Sequence, residues 1–75
     1  MSPNITINYT LSGSNIIITR NGAGVVMNET DIRDALARVM AHRADYASDE
    51  AWRAELAVCT GALDFGLINV WRKRK

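Results

Sequence analysis

The sequence predicts an α+β fold: a three-stranded antiparallel β-meander followed by two helices, in the order β-β-β-α-α, with a short C-terminal helix or strand beyond them. Three observations carry this reading. Gly13-Ser14 and Asn21-Gly22 each separate alternating apolar runs, as two-residue hairpin turns do when they require positive φ. The registers set by the two turns place the same residues on one face. After Met27 the apolar spacing changes from the strand period to the helical one.

Pairing outward from Gly13-Ser14 sets Leu11 opposite Ile16, Tyr9 opposite Ile18 and Ile7 opposite Arg20. Pairing outward from Asn21-Gly22 sets Ile18 opposite Val25 and Ile16 opposite Met27. Ile5, Ile7, Tyr9, Leu11, Ile16, Ile18, Val25 and Met27 then share a core face, which a slip of one residue would scatter. The strands fall at 4–11, 15–20 and 24–27. Their other face carries Thr6, Asn8, Thr10, Ile17, Thr19 and Val26 and no charge, while Arg20 sits at the rim on the core side.

The first helix is expected over 29–45. Asn28 is a good N-cap, Asp31 stands at the third helical position, and Met27 with Ile32 can form a hydrophobic staple. Ile32, Ala35, Leu36, Val39, Met40, Arg43 and Tyr46 form its inward stripe. Ser48 caps a second helix, with Asp49 and Glu50 at its positive end. Trp52, Leu56, Cys59, Leu63, Leu67 and Val70 keep helical spacing toward the C-terminus. An unbroken helix leaves Val58, Phe65 and Ile68 on a second apolar face. The helix is therefore expected to break near Gly61 or Gly66, spanning 49–60 with Gly61 as a terminating glycine and Leu63–Trp71 refolding as a short helix or a strand. The alternative is that another subunit covers that face.

Seventy-five residues make a single domain, 1–75, ending in an aromatic and basic tail at 71–75. A chain of this size buries only about 60% of its unfolded surface, so a partner or a second copy would add needed stability. The lone Cys59 excludes an internal disulfide and suits a reducing, cytoplasmic compartment, a host cell's cytoplasm if the chain is phage-encoded. No secretory pattern is evident, and no run is expected to reach membrane-spanning length, so no membrane partner is predicted. The triplets at Asn4, Asn8 and Asn28 read as strand and cap residues rather than glycosylation acceptors.

Chemistry-bearing groups are sparse. His42 and Cys59 are the one nucleophile–base combination, and a helical hairpin around residue 47 staggers them by about 10 Å along the axis. Asp31, Asp34, Asp45, Asp49, Glu50, Glu55 and Asp64 occupy caps or exposed helical positions. Asn21-Gly22-Ala23-Gly24 lacks the Lys and the strand-to-helix context of a phosphate loop. The expectation is therefore a non-enzyme, with no catalytic or metal-ligating residue and no cofactor.

Four of the nine Lys and Arg residues are Arg72, Lys73, Arg74 and Lys75, leaving five against eight acidic residues in the rest. That tail, with Trp71 beside it, makes nucleic-acid binding the second reading. The first reading is a small non-catalytic protein-binding module that occupies a partner's surface. An uncharged sheet face and an unblunted first strand fit an interface. The interface candidates are Thr6, Asn8, Thr10, Ile17, Thr19, Val26, Phe65, Ile68 and Trp71, and the partner is a protein or a second copy of the chain. Size and missing motifs place such a module among phage or mobile-element accessory proteins, as a regulator or inhibitor of a host system. No motif resembles a named family.

Overall fold

The structure is a computed structural model and describes residues 6–72. Strands β1 (Ile7–Ser12), β2 (Asn15–Arg20) and β3 (Ala23–Met27) form one antiparallel sheet in the order β1-β2-β3. Helix α1 (Glu29–Ala41) and helix α2 (Asp49–Gly66) pack on one face of it. Both predicted registers hold: Leu11 faces Ile16, Tyr9 faces Ile18, Ile18 faces Val25 and Ile16 faces Met27. The turns explain why. Gly13 has φ 63°, and Asn21 and Gly22 have φ 49° and 88°, a left-handed pair that matches the twist of the flanking strands. The expected start of the first strand at Asn4 and Ile5 lies outside the described residues.

The core is small and continuous. Ile16 and Ile18 from β2, Ile32 from α1 and Ala62 from α2 are buried together, with Ile7, Tyr9, Met27, Val58, Phe65 and Trp71 packed around them. Two residues assigned to the core face are exposed instead, Leu11 and Val25. The side-chain parity is as expected for both, but two helices do not cover a whole three-stranded sheet.

Helix α1 begins where its cap dictates. The Asn28 side chain accepts from the Asp31 N–H at 2.7 Å, and the Asp31 carboxylate accepts from the Asn28 N–H at 3.2 Å. The helix ends at Ala41 rather than at 45. His42 leaves helical geometry at φ −120°, ψ 44°, and Arg43–Asp45 tighten into a single 3₁₀ turn. Its i,i+4 ion pair is Glu29–Arg33, at 2.9 Å.

The predicted stop at Gly61 does not occur, but the short C-terminal helical piece is present, as a turn that continues α2 beyond Gly66. Helix α2 runs from the Ser48 cap through Gly61 to Gly66 and continues as a π-helical turn, Leu67–Trp71, closed by Arg72 N–H on the Leu67 carbonyl at 3.1 Å. Gly61 marks a close approach: a Cβ there would lie 2.6 Å from the Tyr9 hydroxyl oxygen. Two of the three residues of the second apolar face find cover inside the chain, because Val58 and Phe65 turn to the sheet-side cluster, while Ile68 stays exposed. Trp52, on the other stripe, donates its indole N–H to the Val39 carbonyl of α1 at 2.8 Å and lies 5.0 Å beneath the Arg43 guanidinium.

Continuity has a second consequence. The 23-residue helix Asp49–Trp71 is long and apolar enough, by length and composition alone, to cross a membrane, an 18-residue window within it reaching a mean hydropathy of 1.2. This corrects the expectation that no run would reach that length. In the fold, the helix uses these apolar positions to touch both the sheet and α1, and its Glu55 is ion-paired.

Candidate interaction surfaces

The sheet has two faces with different fates. Thr6, Asn8, Thr10 and Val26 are exposed on the outer face, beside half-buried Ile17 and Thr19, and both helices lie on the opposite side. These six residues share parity across three strands, so they form one continuous uncharged surface. Val26, at its margin, is 55% exposed.

The three C-terminal interface candidates are not part of that surface. Phe65 packs against Tyr9 with ring centroids 5.8 Å apart and a tilt of 33°. Trp71 lies over Gly66 and donates its indole N–H to the Ser14 carbonyl in the first hairpin turn, at 2.7 Å. Both are half-buried and packed against the core cluster. Ile68 stands apart from them, 74% exposed on the outside of the π-helical turn. Arg72 is exposed, and Lys73, Arg74 and Lys75 lie outside the described residues.

On the inner face the helices leave a groove of about 300 Å³ beside β3. Its walls are Ile18, Val25 and Met27 of the sheet, Ile32 of α1, and Val58 and Cys59 of α2. One end is closed by Arg20, which holds Glu55 through two parallel hydrogen bonds of 3.0 and 2.7 Å. Strand parity puts Arg20 at the rim, whereas helical spacing alone makes Glu55 an exposed carboxylate. Their separation of 35 positions leaves no local signal for the pair.

The groove wall is chemically quiet. Burial pushes the Cys59 thiol above its ordinary pKa, the Glu55 charge adds to this, and Arg20 opposes it. Burial likewise raises the Tyr9 phenol, with Cys59 adding and Arg20 opposing. The Tyr9 hydroxyl donates to the Val58 carbonyl at 3.0 Å. Raised values keep the thiol in its less nucleophilic form. His42 is elsewhere, exposed at the end of α1, with its Nδ1 2.9 Å from the Arg38 carbonyl. A carbonyl only accepts, so this nitrogen carries the proton and serves as a helix cap. Among the described residues, no three His, Cys, Asp or Glu side chains cluster as a metal site would need.

No protein-family model, curated protein or solved structure matches this chain.

Proposed function

We propose that the protein is a small non-catalytic binding module that acts by covering a surface of a protein partner, as a phage or mobile-element inhibitor of a host system would. One observation carries the reading: the outer sheet face, from Thr6 to Val26, is continuous, uncharged and left open by both helices. Solubility favours charge on an open face, and the centre of a protein interface is where charge is depleted. Ile17 and Val26 provide the apolar part, and the Thr and Asn side chains around them provide hydrogen-bonding groups.

The test is capture by a tagged chain from a lysate of the cells in which it acts, with and without nuclease. A protein retained after nuclease and moderate salt, lost with Ile17→Lys and kept when residues 72–75 are deleted, supports the reading. Ile17 is half-buried on the central strand, so its lysine variant is first checked for native circular dichroism. Recovery that disappears with nuclease, or with the tail deletion, transfers the function to nucleic-acid binding through the basic end.

A further inference from the structure

We propose that the edge of β3, unpaired among the described residues, is a self-association surface, on which two copies pair antiparallel about a two-fold axis through Val25 and join their meanders into one six-stranded sheet. This does not rest on the preceding reading, which concerns the outer face and a different partner.

Hydrogen-bond phase comes first. The Asn21 N–H donates to the Thr6 carbonyl at 3.2 Å, so odd-numbered residues of β2 direct their backbone groups toward β1. Alternation leaves Ile16, Ile18 and Arg20 bonded to β3, through Met27, Val25 and Ala23. The N–H and C=O groups of Gly24 and Val26 therefore point off the sheet. Pairing Gly24 with Val26 of the second copy, and the reverse, satisfies all of these outward groups at once. That register places Val25 directly opposite its own counterpart, in the closer, non-hydrogen-bonded type of pair.

The side chains fit the same register on both faces. On the inner face, Val25 is 58% exposed and lines the open side of the groove with Met27. The second copy adds its own Val25 and Met27 there and closes that side. On the outer face, Val26 meets a glycine, and the Ile17 methyl leans over it: a Cβ on Gly24 would lie 3.2 Å from Ile17 Cγ2. The incoming Val26 finds an apolar neighbour and no obstructing side chain.

Charge does not oppose the pairing. Ala23–Met27 contains no charged residue, so a two-fold axis brings no like charges face to face. It also lacks the Pro and Lys that blunt an edge. The β1 edge differs, because its exposed side chains include Asn8, Thr10 and Ser12, and pairing there covers less apolar surface. A five-residue edge is smaller than a standard interface, so the association is weak and concentration-dependent.

Sedimentation equilibrium of the full chain tests this. The wild type is expected to shift from monomer to dimer with concentration, and Val25→Lys to dimerise at least about tenfold more weakly, because its two ammonium groups face each other. A second experiment does not depend on that charge. In a Cys59→Ser background, Val25→Cys is expected to oxidise rapidly to a disulfide-linked dimer, since paired Cα atoms of this type lie about 4.5 Å apart. Val26→Cys faces a glycine and is expected to cross-link far more slowly. A wild type that stays monomeric throughout, a dimer unchanged by Val25→Lys, or equal cross-linking at 25 and 26 overturns the proposal.

Discussion

Gly61 and Gly66 show how a missing Cβ places a helix. An exposed glycine in mid-helix costs about 1 kcal/mol relative to alanine, so Gly→Ala ordinarily stabilises. Here alanine at 66 would overlap the Trp71 ring, and alanine at 61 would press on the Tyr9 hydroxyl. Neither aromatic can yield freely, because Trp71 is tied to Ser14 and Tyr9 to Val58. Overpacking of this kind costs about 1–3 kcal/mol, which outweighs the propensity gain. Gly61→Ala and Gly66→Ala are therefore expected to lower the thermal unfolding midpoint, and a rise at both positions would contradict the packing described. Tyr9 and Cys59 make a second prediction at this scale. Both have pKa values raised by burial, so the stability they contribute is fully present below their unfolded values. It is lost as the pH rises through their folded values, because the unfolded chain releases those protons first. Urea unfolding is expected to give the same midpoint at pH 6 and 7 and a lower one above about pH 9, where the thiol and phenol begin to ionise.

Element boundaries follow from groups near in sequence, and those are the parts the sequence made readable. The Asn28–Asp31 box fixes the start of α1, and Asn28→Ala is expected to cost about 1 kcal/mol in chemical denaturation, with no change in the sheet signal. The hairpin registers were readable for the same reason, since each turn lies between the strands it joins. The end of α2 was not. Gly61 and Gly66 look like stops when read locally, yet the residues that explain them, Tyr9 and Trp71, reach them through the tertiary fold and the wider π turn. Val58 and Phe65 looked stranded because the sequence does not reveal that α2 lies between a sheet and a helix, and so needs two apolar faces.

At the scale of the whole molecule, α2 sets the shape. Twenty-three residues of helix span about 34 Å, most of the 43 Å long axis of a molecule only 16 Å thick. Such a thin body has one layer of sheet and one of helices, so half the sheet surface is left to solvent or a partner. The open face was readable from strand parity alone. Its separation from Phe65 and Trp71 was not, because both are recruited inward by contacts with Tyr9 and Ser14. The groove and its Arg20–Glu55 rim join residues 35 positions apart and carried no local signature. The last turn of the helix also reaches back 57 positions to the first hairpin. On the ribosome, the meander emerges first, α1 follows, and the inner face stays incompletely covered until α2 arrives. The core stays incomplete until that later helix arrives, so the nascent form depends on how quickly translation delivers residues 49–71.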